Sequence, residues 1–200
     1  SNLARPGGNI TGVSNMLPDL ESKRLELLRE LMPGLKRLAF LGSANDPATR
    51  GFVREVQEAA TRTGMSVEPV LIAGPDEIDR ALAKIANDKV DAVILQPLFT
   101  LSPRAAASVA EVAGRLRIPA IASFAHFPRA GGLISYGPPT EFARRAIARY
   151  VDRILKGAAA GDLAIEQPTQ FELTINLKTA KMLGLTVPPT VLGRADEVID

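Results

Sequence analysis

An α/β fold built on a doubly wound parallel sheet, with additional segments at both ends, is what this sequence predicts, and three observations carry the prediction. Short β-branched apolar runs that lack polar alternation suit parallel strands buried on both faces. Stretches with apolar residues at helical spacing stand between those runs. Proline, glycine and capping residues punctuate the junctions. The repeating strand-helix order calls for right-handed crossovers.

Taken in order, Asn9 to Ser14 reads as a strand and Glu21 to Met32 as an amphipathic helix ended by Pro33-Gly34. The repeating series then begins. Leu38 to Leu41, Val67 to Ile72, Ala92 to Leu95 and Ile118 to Ala122 are its strands, and Pro47 to Thr63, Asp76 to Ala86 and Pro103 to Leu116 its helices. In the first of these helices Phe52, Val53, Val56, Ala59 and Ala60 form one stripe, closed by Gly64. Asp46-Pro47 and Ser102-Pro103 each set a good N-cap before a proline suited to the first helical position, so helices are expected to start there. Leu133 to Tyr136 is a further strand after the turn Arg129-Ala130-Gly131-Gly132. A long helix follows from Thr140 to Lys156, with Ala143, Ile147, Tyr150, Val151 and Ile154 on one face and Gly157 as its stop. Beyond a small-residue linker at Gly157 to Gly161 come a strand at Phe171 to Ile175, a short helix at Asn176 to Leu183 and an extended exit at Val187-Pro188-Pro189.

Composition narrows the function. The 200 residues are 46% hydrophobic and 23% charged, which suits one well-packed core and argues against disorder. A formal charge of only +2 gives nucleic acid binding little support, and 4% aromatics without Trp argues against a base-stacking platform. The absence of Cys excludes disulfides, thiolate metal sites and cysteine nucleophiles, and the lone His126 has no local metal or nucleophile partner. Arg5-Pro6-Gly7-Gly8-Asn9 lacks both the P-loop ending and the G-x-G-x-x-G spacing, so it reads as a turn. No cofactor or metal is expected. No run approaches the roughly 20 apolar residues that span a bilayer. Ser1-Asn2 reads as a cloning remnant, and the stretch after it as the middle of a longer protein.

In an open parallel sheet, ligands bind beyond the carboxyl ends of the strands. That rule selects Gly42-Ser43-Ala44-Asn45-Asp46 after one strand, and Gln96-Pro97-Leu98-Phe99-Thr100 after another. Ser123 and Phe124 follow a third strand, and Tyr136 ends a fourth. Together they offer hydroxyls, an amide, a carboxylate and apolar side chains to a small ligand. The helix start beyond Ser43 favours an anionic group such as a ligand carboxylate, whereas Asp46 as N-cap would occupy its amides and make it simply a capped helix. Phe99, Phe124, Phe127 and Tyr136 gather near one sheet edge, as ligand contacts or as its hydrophobic closure.

Enzymatic readings lack their agents. Gln96-Pro97 stands where a phosphoacceptor aspartate would, there is no G-x-S-x-G elbow, and no carboxylate pair marks the strand ends. The sequence is therefore read as a binding protein rather than an enzyme.

Several strings together carry a family resemblance. They are Leu3-Ala4-Arg5-Pro6-Gly7-Gly8-Asn9-Ile10-Thr11-Gly12, Lys23-Arg24-Leu25-Glu26-Leu27-Leu28, Ile134-Ser135-Tyr136-Gly137, and Tyr150-Val151-Asp152-Arg153-Ile154-Leu155-Lys156-Gly157. Glu166-Gln167-Pro168-Thr169, Phe171-Glu172-Leu173, Asn176-Leu177-Lys178-Thr179-Ala180-Lys181 and Arg194-Ala195-Asp196-Glu197 complete the set. From residue 3 to 200 the chain resembles the ABC transporter substrate-binding proteins of the tryptophan/tyrosine-binding type. The resemblance implies a Rossmann-like, type I periplasmic-binding-protein lobe in a periplasmic or otherwise extracytoplasmic solute receptor. Such a receptor binds an amino acid or related small organic ligand, aromatic in some relatives, and delivers it to a membrane ABC permease. A ligand-sensing regulatory module of the same fold is the alternative. The implied organisation is a hinge or entry segment at 1–14, the C-terminal ligand-binding lobe at 15–137 and a returning helix and strand-helix segment at 138–200. The implied partners are the permease and an N-terminal lobe of the same protein, with self-association where that lobe is missing. The family's contacts fall on Ser43, Asn45, Pro47, Ala48, Pro97 to Phe99, Ser123 and Phe124.

Overall fold

A computed structural model describes residues 2–200; Ser1, half of the expected cloning remnant, lies outside the described residues. The chain divides into two compact units, one made of Ser1–Met16 with Pro138–Phe171 and the other of Leu17–Gly137 with Glu172–Asp200. In the larger unit the helices and strands run α1 (Glu21–Leu31), β1 (Arg37–Ser43), α2 (Thr49–Arg62), β2 (Ser66–Ile72), α3 (Ile78–Asn87) and β3 (Ala92–Leu95). They continue through α4 (Pro103–Arg115), β4 (Ala120–Ala122), α5 (His126–Arg129) and β5 (Ile134–Gly137). The chain leaves for α6 (Thr140–Leu155) in the smaller unit and returns for β6 (Glu172–Asn176), α7 (Leu177–Met182), α8 (Pro189–Leu192) and β7 (Glu197–Ile199).

One seven-stranded sheet orders these strands β2-β1-β3-β4-β5-β6-β7. Every neighbouring pair is parallel except β5 and β6, which run antiparallel and set Gly137 opposite Glu172. The apolar runs explain the layering, because alternate residues of one strand serve opposite faces. Leu38 and Phe40 of β1 join Leu25, Leu28, Phe52 and Val56 from α1 and α2, and the Phe40 and Phe52 rings stack with centroids 6.2 Å apart. Ala39 and Leu41 join Leu82, Ile85 and Val109 from α3 and α4 on the other side. Each such buried Leu, Ile or Phe contributes roughly 1.5–3 kcal/mol relative to exposure.

Several junctions behave as their chemistry dictates. Ser102 caps α4 by accepting the Ala105 N–H at 3.2 Å, and Asn176 caps α7 by accepting that of Thr179 at 2.9 Å. Others differ from expectation. The helix α2 begins at Thr49, not Pro47, with Ala48 at its cap and no side-chain cap bond. Asp46 instead turns its carboxylate onto the Ala48 N–H at 2.9 Å, which spends the capping oxygen on a turn just before the helix. The expected extended exit folds instead into α8 and then β7, a half-exposed three-residue strand too short and too charged to show as an apolar run. Its seat comes from Asp196, whose N–H donates to Leu173 O and whose carboxylate accepts the Leu173 N–H, both at 2.8 Å.

In the smaller unit the strand expected over Asn9 to Ser14 reduces to one bridge, Val13 with Glu166. Gly161 is required there, since a Cβ on it would stand 2.6 Å from Gly8 O. On α6, Tyr150 of the expected stripe is buried, whereas Ile147, Val151 and Ile154 keep 52%, 51% and 41% of their surface exposed. The apolar stripe read from the sequence is therefore present but largely uncovered.

Candidate functional site

Because β1, β3, β4 and β5 are parallel neighbours, their carboxyl ends share one edge of the sheet. The chain runs outward from β1 to β2, then crosses back to β3, so the switch point lies between β1 and β3. At that point stands Gln96, 1% exposed. Its Oε1 accepts the Ser43 N–H at 2.6 Å, and its Nε2 donates to Asp46 Oδ2 at 2.7 Å. Two partners of opposite demand thus fix the orientation of the amide. The Thr49 hydroxyl, at the first turn of α2, donates to Ser43 O at 2.7 Å and lies 3.1 Å from Gln96 Oε1. Ser43 Oγ accepts the Asn45 N–H at 3.2 Å, and Asn45 Nδ2 donates to Ala73 O at 3.0 Å.

This network holds the Ser43 to Thr49 loop rigid without consuming it. Asp46 remains half-buried, and Asn45, Pro47 and Ala48 stay exposed. A carboxylate offers about four lone-pair positions, so Asp46 keeps accepting capacity beyond the two donors it already holds. Asp46 thus offers this rim a carboxylate.

After β3, Pro97–Phe99 form one turn of 3-10 helix. The Phe99 ring packs into the core among α3 and α4 residues, while Leu98 points outward at 37% exposure. Phe124 and Phe127 are likewise buried, and Tyr136 is half-buried against the cluster beneath α1 and α2. Ser123 is buried with its Oγ lacking a hydrogen-bond partner, and its carbonyl oxygen would stand 2.2 Å from a Cβ at position 137. Only glycine permits that approach of β5 to the end of β4.

Of the residues singled out in the sequence, Ser43 and Asp46 are thus tied together through Gln96, with Asn45, Pro47 and Ala48 beside them on the same loop. Gln96 lies in a strand-end loop that the sequence selects, and its part in organising the Ser43 to Thr49 loop comes from its two distant partners. Its signal was a buried-looking polar side chain directly after an apolar strand, beside a proline. A groove of about 660 Å³ runs between α2 and the edge strand β2, lined by Thr49, Arg50, Val53, Arg54, Pro69 and Leu71 among others. No sequence feature pointed to it. Among the described residues, no group of three or more His, Asp or Glu side chains is placed to hold a metal ion, and no helix is long and apolar enough to cross a membrane.

A sequence profile described as ABC transporter substrate binding protein matches residues 1–199. A tyrosine-binding protein of Clostridioides difficile (strain R20291) is 26% identical over 183 residues, which are 92% of this chain and 52% of that protein. The chain therefore spans about half the length of this curated relative. An ABC domain from Streptococcus pneumonia, solved in complex with L-Trp, superposes with a TM-score of 0.85 at 27% identity, covering 100% of this chain and 68% of the other. A conserved domain protein from Vibrio cholerae gives a TM-score of 0.87 at 23% identity over 98% of this chain and 65% of the other, a likeness of fold.

Proposed function

Because this chain belongs to the ABC transporter substrate binding protein family, we propose that its strand-end face is one wall of a cleft that binds an amino acid, with an aromatic one such as L-tryptophan or L-tyrosine as first candidate. The observation that carries the reading is the Gln96-centred rim at the switch point of the sheet, which presents a preorganised carboxylate, hydroxyls and amides without a nucleophile or an acid/base pair. In this reading Asp46 accepts the ligand ammonium. Ser43, Asn45 and the backbone of Pro47 and Ala48 supply polar contacts, while Pro97 and Leu98 cover apolar surface. Phe99, Phe124 and Tyr136 shape the wall from behind, and Ser123 contributes its unpartnered hydroxyl. The relatives that bind tyrosine and tryptophan support the choice of ligand.

The opposite wall is proposed to come from the rest of the full-length protein, supported by the half-length match and by the uncovered stripe on α6. Binding without chemistry, an extracytoplasmic location and delivery to a membrane permease complete the proposal. Titration calorimetry of the full-length gene product with L-tryptophan and L-tyrosine tests it. Saturable binding is expected, with Asp46→Ala weakening it by at least tenfold, the factor that about 1.4 kcal/mol represents. Absence of binding by any amino acid, or an Asp46→Ala protein that binds as tightly as the parent, refutes the assignment. Genes for a permease and an ATPase beside this one are the expected context, whereas a fused DNA-binding domain would assign the chain to signalling.

A further inference from the structure

The chain passes between its two units at three places, after Met16, after Gly137 and after Phe171. All three lead to one buried side chain. Arg24, fully buried in α1, donates from Nε to Tyr136 O at 2.9 Å, one residue before the second passage. From Nη1 it reaches Leu17 O at 3.4 Å, the first residue after the first passage. The third passage joins the second through the β5–β6 ladder, in which Gly137 faces Glu172 and Tyr136 faces Leu173. Glu21, also fully buried, holds the guanidinium by accepting from Nη1 at 2.5 Å. Met16, immediately before the first passage, has a φ of 50°, a left-handed backbone that a non-glycine residue keeps only where its surroundings impose it.

A buried ion pair is an expensive way to stabilise a fold, since the desolvation it demands roughly cancels its attraction. Here it also leaves Glu21 Oε2 and Arg24 Nη2 without partners. What the arginine supplies that an apolar residue cannot is a planar fork that spans two backbone carbonyls at once. The carbonyls it spans are those beside the chain passages. From Tyr136 the connection continues to the ligand face, because Gly137 lies against the carbonyl of Ser123.

We propose that Arg24, held by Glu21, is a positioning residue that pins together the points at which the chain enters and leaves the seven-stranded unit and, through Gly137, sets the backbone of Ser123 at the ligand face. Its consequence for affinity rests on the proposed binding function; its consequence for the backbone does not. The test compares the full-length gene product with the double variant Glu21→Gln/Arg24→Met, which removes the fork and both charges together, and with Arg24→Lys, which keeps the charge but cannot span both carbonyls. Hydrogen exchange is measured at the amides of residues 15–17, 135–137 and 172–173, and L-tryptophan affinity by calorimetry. Both variants are expected to melt cooperatively, to exchange about tenfold faster at these amides with β1 and β3 unchanged, and to bind about tenfold more weakly. Arg24→Lys that restores parental protection at the passages reduces the arginine to a neutralising charge and overturns the proposal. So does exchange accelerated evenly across the unit, or faster local exchange with unaltered affinity. If the parent binds neither L-tryptophan nor any other amino acid, the binding function fails, while the exchange pattern still decides the role of Arg24.

Discussion

Replacing Gln96 by Glu changes almost no volume and puts a second carboxylate against the one at Asp46. The Oε1 that accepts the Ser43 N–H is retained, but the atom replacing Nε2 becomes an acceptor 2.7 Å from Asp46 Oδ2. Two unit charges at that separation repel by about 6 kcal/mol at an effective dielectric of about 20, less where Asp46 meets solvent. The pair escapes the full penalty by taking up a proton. At about pH 7 that costs about 1.36 kcal/mol for each pH unit above a carboxyl pKa near 4.2, or about 4 kcal/mol. The loss is therefore capped near 4 kcal/mol at neutrality. The pair's folded-state affinity for a proton exceeds the unfolded value, so the lost stability returns as pH falls toward the unfolded carboxyl range. Urea unfolding of the parent and Gln96→Glu is expected to show a gap of about 3–4 kcal/mol at about pH 7 and under about 1 kcal/mol at about pH 4.5. A gap equal at both pH values, or none at neutrality, refutes the view that Gln96 bridges the Ser43 amide and the Asp46 carboxylate.

Two further expectations concern the same unit. Gly137→Ala places a Cβ 2.2 Å from Ser123 O, so β5 must part from β4; thermal melting should show a loss of about 1–3 kcal/mol, and a neutral outcome would contradict the close approach. Burial pushes the Glu21 carboxyl above its ordinary range, against the opposing pull of the Arg24 guanidinium beside it. A carboxyl raised on folding contributes stability that is full below its unfolded pKa and fades as pH rises through the folded one. The parent should therefore lose stability relative to Glu21→Gln as pH rises from about 4.5, and a pH-independent difference between their unfolding curves would show that Glu21 is not held in this way.

The periodic elements were legible because their causes are local. The unalternating runs at Leu38 to Leu41 and Ala92 to Leu95 had to be buried on both faces, and Ser102 before Pro103 left α4 no better place to begin. Elements seated by distant partners were harder to read. The strand β7 exists because Asp196 finds Leu173 across 23 residues, and nothing in its three-residue run announces that. Asp46 looked like a helix cap by its place before Pro47. Its second oxygen, however, answers Gln96 fifty residues away, and the helix starts later.

The candidate site divides in the same way. By themselves the residues determined that Ser43, Asp46 and Ser123 would stand at the strand ends, because parallel strands can present their carboxyl ends only at one edge. Which side chains actually face that edge was a tertiary decision. Packing took the rings of Phe99 and Phe124 out of solvent and left Leu98 at the surface, since burying a ring yields more than burying a Leu. Gln96 and Arg24 show the limit most plainly. A polar side chain becomes an organiser only when folding removes water from it and leaves particular backbone groups as its remaining partners. That selection happens in three dimensions, among atoms that the order of residues leaves far apart.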